Sequence, residues 1–200
     1  MNINNYKSTK LLFVLAVLSL VVPITVAARE KGKKENKFLE TTYSGTIVTS
    51  NGRTLPFTME VRKLTSDANA ENDLNMLRSK GQDGFQKAIE KQDLGYFALE
   101  GDIAQTLRYV RETKTDEGTK LVAVFGRWLR PFELRYGTRS SDYPFTYIEI
   151  YSDHEGKSTG FAIGAARVQT NKENPNSIDF ENFGALPAKL IGLQMKSKEL

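Results

Sequence analysis

Cysteine is absent from this 200-residue chain, and histidine and tryptophan occur once each, as His154 and Trp128. Without cysteine there is no disulfide framework, no thiolate metal site and no thiol nucleophile. The length still allows a sizeable core, so export without disulfide staples is physically reasonable. One histidine cannot furnish the usual zinc ligand sets. No cofactor or metal is expected. Surplus charge is also small, with 28 Lys+Arg against 24 Asp+Glu. No basic stripe stands out, which argues against nucleic acid as a partner. No repeat at a fixed period is visible, and no N-x-[ST] acceptor follows residue 28, which favours a bacterial exported protein.

What is present begins with one long apolar run. Met1 to Lys10 carries Lys7 and Lys10 and no acid, Leu11 to Val22 reads LLFVLAVLSLVV, and Val26-Ala27-Ala28 supplies small residues. These are the n-, h- and c-regions of a secretory signal peptide, expected over residues 1–28 with cleavage after Ala28. The run is shorter than the roughly 20 apolar residues of a spanning helix, so no membrane span is expected in the mature chain. With no cysteine near the cleavage point, a lipoprotein is excluded. Cleavage removes two of the 28 basic residues and none of the acids, so the net charge falls from +4 to +2. Residues 29–40 open with REKGKKENK and read as a disordered charged leader. Its positive charge runs against the usual orientation bias, so export rests on the layout of the segment. The expected location is secreted or periplasmic.

Residues 41–200 read as a single β-rich domain. Tyr43 to Thr49 and Arg53 to Leu64 are β-rich and flank Asn51-Gly52, a strong hairpin signal. Pro56 predicts an irregular or edge start to the second strand. Ser66 and Asp67 are N-cap candidates. Leu74, Leu77, Phe85, Ala88 and Ile89 then recur at helical spacing, which predicts a helical segment near residues 70–93, weakened at Gly81 and Gly84. From Tyr96 onward, short strands and tight turns dominate. The fold class is therefore α+β and β-dominated, with a curled antiparallel sheet (barrel or sandwich) and one helical segment after the first hairpin.

SDHEGKSTG, Ser152 to Gly160, crowds reactive residue types together. A nucleophile elbow at Ser158 needs a later histidine, and His154 precedes it. A phosphate loop needs a glycine at Tyr151. Asp153, His154 and Glu155 alternate sides in extended chain, so they make a poor metal site. The stretch reads as a polar hairpin tip turned by Gly156. No catalytic residue and no metal ligand is assigned.

Arg127 to Phe145, RWLRPFELRYGTRSSDYPF, carries the best binding candidates. In a strand, Trp128, Arg130, Phe132 and Tyr136 share one face. Arg130 among aromatics is either an anion-holding group in a pocket or an arginine paired with a neighbour such as Glu149. Arg139 and Tyr143 sit in the polar loop that follows, where Arg139 and Asp142 can simply pair with each other. Paired carboxylates drawn from Asp102, Asp142, Glu149, Asp179 and Glu181 are the one enzyme route left open.

The pieces LRSKGQDGFQKAIEKQDLG (Leu77 to Gly95), YGTRSSDYPF (Tyr136 to Phe145) and DFENFGALPAKL (Asp179 to Leu190) resemble a group of exported bacterial proteins of unknown function. The resemblance spans most of the mature chain. It implies export and a single domain and assigns no chemistry. Three functions follow as expectations. The first is a non-catalytic exported binding module for a small, partly apolar or anionic ligand or a partner protein. The second is a carboxylate-based hydrolase acting on envelope or extracellular polymers. The third is a structural envelope protein.

Overall fold

The computed structural model describes residues 40–127, 142–182, 184 and 186–198. The expected signal peptide and nearly all of the charged leader lie outside them. The first hairpin joins β1 (Glu40–Val48) to β2 (Thr54–Val61). Its turn is closed by Gly52 N–H donating to the Thr49 carbonyl at 2.9 Å, with Gly52 at φ 80°. Helix α1 (Asp67–Ile89) follows, capped by Ser66, whose Oγ accepts from Asn69 N–H. Then come β3 (Gly95–Leu99), β4 (Gln105–Thr106), β5 (Tyr109–Thr115) and β6 (Gly118–Gly126). The chain closes with β7 (Phe145–Asp153), β8 (Ser158–Thr170), β9 (Ile178–Asn182) and β10 (Ala188–Lys198).

All pairings are antiparallel, in the order β4-β3-β2-β1-β10-β8-β7-β6-β5, with β9 also on β8. The ladder is not closed, yet its two ends return to one piece of chain. β4 pairs with β3 and β5 pairs with β6, and only Leu107 and Arg108 separate them. Leu107 N–H donates to the Gly95 carbonyl at 2.9 Å, and Arg108 N–H donates to the Val124 carbonyl at 3.0 Å. The start of β2 is an edge, as expected: among the described residues β3 pairs only with Phe57 to Val61, so Pro56 pairs in a ladder with β1 alone. Its carbonyl accepts from Glu100 N–H, just past the end of β3. Its missing N–H therefore faces the point where the neighbouring strand stops, and no ladder bond is lost.

Alternation along the strands builds two cores. On β6, Leu121, Ala123 and Phe125 enter a cluster that also holds Tyr43, Met59 and Ile148, inside the curl. Val122 and Val124 point the other way, to a second cluster with Leu74, Leu77, Phe85 and Ile89 of α1. Phe85 is fully buried there and meets Phe145 edge-on at 5.5 Å. Burying such a ring contributes about 1.5–3 kcal/mol.

β9 and β10 occupy the same edge of β8 in succession. β10 pairs through Ala188, Lys189 and Leu190, and β9 pairs further along, from Ala166 to Thr170. Beyond Leu190, β10 pairs only with β1 among the described residues, with a register shift opposite Ser44 to Thr46 and Gly192 at φ 62°.

The weakness expected in the helix is a kink at Gly81, whose φ of 64° and ψ of −150° favour glycine. Immediately after it, Gln82 docks on the sheet. Its Nε2 donates to the Val168 carbonyl at 2.6 Å, and Val168 N–H donates back to Oε1 at 2.8 Å. The last β7–β8 pair is Phe145 with Ala166, so Gln82 satisfies strand backbone that β7 no longer reaches. Gln82→Ala should destabilise the fold by about 1–3 kcal/mol, because two partly buried backbone groups lose their partners. Urea unfolding measures this.

Asp73 faces inward from α1 and is 1% exposed. Gln92 Nε2 donates to its Oδ2 at 2.8 Å, while Asp73 Oδ1 and Gln92 Oε1 have no partner among the described residues. Burial raises the carboxyl above the ordinary range, partly offset by hydrogen bonds from Gln92 and Asn72. A raised value means that the folded chain holds this proton more tightly than the unfolded chain. Stability from this group is therefore full below about pH 4 and is lost as pH rises through the folded value. Asp73→Asn should raise the urea midpoint at neutral pH and leave it nearly unchanged near pH 4.

Candidate functional site

At one end of the curl β1, β3 and β6 finish and β7 and β10 begin. The inward faces there do not fill the space between them, and a cavity of about 590 Å³ remains. Its wall is apolar, from Ile47, Leu99, Ala162 and Ala188, with Phe97 and Phe125 as two aromatic faces. Those two rings stack at 5.3 Å, and Phe57 stacks on Phe97 at 5.7 Å. Phe97 belongs to β3 and Phe125 to β6, so this contact joins strands from opposite ends of the sheet. The β3–β4 turn forms the lip. Asp102 N–H donates to the Leu99 carbonyl at 3.0 Å, which sets Asp102 and Ile103 at the opening. Ile103 is 73% exposed there. Asp102 is the only charged residue lining the cavity among the described residues.

The acids considered for paired catalysis do not gather here. Glu149 is buried on the other face of the sheet. It accepts from the Tyr147 hydroxyl at 2.5 Å and from the Tyr151 hydroxyl, with Lys120 Nζ at 3.7 Å. Burial first, and then Glu149, push the hydroxyls of Tyr147 and Tyr151 well above the ordinary phenol range. Tyr43 is pushed up to about 12 by burial and by the nearby Glu112 carboxylate. All three phenols stay protonated at neutral pH, and those of Tyr147 and Tyr151 donate to Glu149. Glu181 accepts from the Tyr143 hydroxyl at 2.8 Å.

Of the sequence candidates, Trp128, Arg130, Phe132, Tyr136 and Arg139 lie outside the described residues. They fall in the β6–β7 connection, whose described ends, Arg127 and Asp142, border the end of the sheet that holds the cavity. Tyr143 is buried against Glu181, with Arg167 about 6.0 Å from its ring centre, and is not a cavity-lining residue. Apart from Asp102, named among the candidate acids, the cavity residues were not singled out from the sequence. The only available signal was the inward phase of Phe97, Leu99 and Phe125 in short strands.

SDHEGKSTG forms the β7–β8 hairpin tip, with Gly156 at φ 84°. Asp153 Oδ1 accepts from Glu155 N–H at 3.0 Å and from Lys157 N–H at 2.8 Å, a local turn device. Ser158 Oγ lies 2.8 Å from Ser152 Oγ, and His154 Nε2 lies 3.2 Å from the Asp116 carbonyl. Serine and histidine thus take different partners. A second, more polar slot of about 410 Å³ lies beside this tip, at the opposite end of the sheet from the apolar cavity.

No protein-family model, curated protein or solved structure matches the chain. Among the described residues no helix is long and apolar enough to cross a membrane, and no group of His, Cys, Asp or Glu is placed to hold a metal ion. The double variant His154→Ala/Ser158→Ala should keep the fold, with a stability change within about 0.5 kcal/mol, measured by thermal unfolding.

Proposed function

We propose that this chain is an exported, non-catalytic binding module that takes a small, mostly apolar molecule into the open end of its curled sheet. The apolar cavity of about 590 Å³ carries this reading. Small-molecule sites typically span about 300–1,000 Å³, are mostly apolar and hold a few polar groups. Each apolar surface that leaves water on binding contributes about 25 cal/mol per Å². The stacked Phe97 and Phe125 rings give the wall a stiff aromatic surface that suits an aliphatic or aromatic body. Export follows from the apolar run and small residues of positions 1–28. A two-acid hydrolase would need a second carboxylate beside Asp102, and no observation supplies one among the described residues.

The test is fluorescence titration with N-phenyl-1-naphthylamine, an apolar dye that brightens when it leaves water. The wild type should bind it. Ala162→Phe, which puts a ring into the cavity, should weaken binding about tenfold or more. Thr119→Phe, in the slot at the other end, should leave dye binding unchanged. Equal weakening by both variants, or by neither, would sink this reading.

A further inference from the structure

The polar atoms around the cavity decide what the other end of the ligand can be. Thr49, Asp102, Gln105 and Thr146 are the polar side chains on it among the described residues. The Thr49 hydroxyl donates to Asn51 Oδ1 at 2.6 Å and lies 3.0 Å from the Arg53 carbonyl. Its single proton is therefore taken by the hairpin turn, and lone pairs remain for a ligand. Gln105 Nε2 reaches back to the Ile103 carbonyl at 3.4 Å, which takes one amide proton and leaves the other proton and the oxygen. Asp102 brings an ionised carboxylate, which only accepts. Thr146 can act either way. Two of the four groups thus only accept, one of them charged, the other two can donate or accept, and no lysine or arginine among the described residues lines the cavity to answer an anion.

Resting on the binding reading above, we infer that the ligand's polar end is a hydrogen-bond donor, neutral or cationic, such as a hydroxyl or a primary amine. A carboxylate or phosphate on the same apolar body is disfavoured. It would lie beside the Asp102 charge, and only Thr146 and the second Gln105 proton could donate to it. An ammonium gains on both counts. A hydroxyl gains the hydrogen bond alone. The ordering is therefore amine, then alcohol, then acid. Because Asp102 is exposed at the lip, water screens its charge, and the gap between amine and acid should be about three- to tenfold.

The experiment is displacement of N-phenyl-1-naphthylamine from the protein by decylamine, 1-decanol and decanoate, near neutral pH and at low salt, below their aggregation concentrations. The amine should displace the dye at the lowest concentration and decanoate at the highest. Asp102→Asn should bring amine and alcohol together, and Asp102→Lys should favour decanoate over decylamine. Asp102 is exposed, so both variants should keep the wild-type melting temperature. Failure of the wild type to bind the dye overturns the binding reading itself. Dye binding with decanoate equal to or better than decylamine overturns this inference alone, and so does an order that Asp102→Lys leaves unchanged.

Discussion

The two-residue step at Leu107 and Arg108 governs the architecture. On one side of it the chain completes β3, and on the other it completes β6, so both ends of the sheet are tied to one short segment. A sheet held this way must curl. The curl gives Tyr43, Met59, Ile148 and their neighbours an inside to fill, and it brings Phe97 to Phe125. The interior is well packed in the middle of the strands and thins where strands finish together. The apolar cavity is thus a product of where the strands stop.

The outer face needs a cover, because Val122, Val124, Phe145 and Tyr147 point outward from it. Helix α1 supplies the cover, and just past its kink it meets the part of β8 that outruns β7. The kink at Gly81 turns Gln82 onto Val168, where the side-chain amide stands in for a neighbouring strand. On the same face, a buried carboxylate is tolerated because two phenols and a lysine surround it. The helix has less success with Asp73, whose second oxygen is left without a partner among the described residues.

Local chemistry made much of the fold legible from the sequence. Asn51-Gly52, Ser66, Gly81 and Gly156 each announce a backbone geometry within a few residues, and the turn, cap, kink and hairpin tip stand where those residues are. The reading of SDHEGKSTG was decidable for the same reason, since each mechanism requires a partner at a set spacing. The pairing of distant strands was not legible. Nothing local in Tyr96 to Thr115 says that one segment serves both ends of the sheet, so Phe97 and Phe125 could not be brought to one cavity. Pro56 correctly marked an edge start to β2, since β3 ends before reaching it. The aromatic and arginine residues from Trp128 to Arg139 fall outside the described residues, while Tyr143, at the end of that stretch, turns to Glu181.

The division of the β8 edge between β9 and β10 leaves the far half of β10 with one partner among the described residues. Its other side is a row of backbone donors and acceptors, the kind of surface on which chains stack into aggregates. This strand carries two known deterrents. The register shift near Gly192 bends the strand so that a flat neighbour cannot follow it, and Lys196 and Lys198 would set like charges facing one another if two copies met. The unfinished edge of this sheet is therefore shaped to keep neighbouring molecules apart.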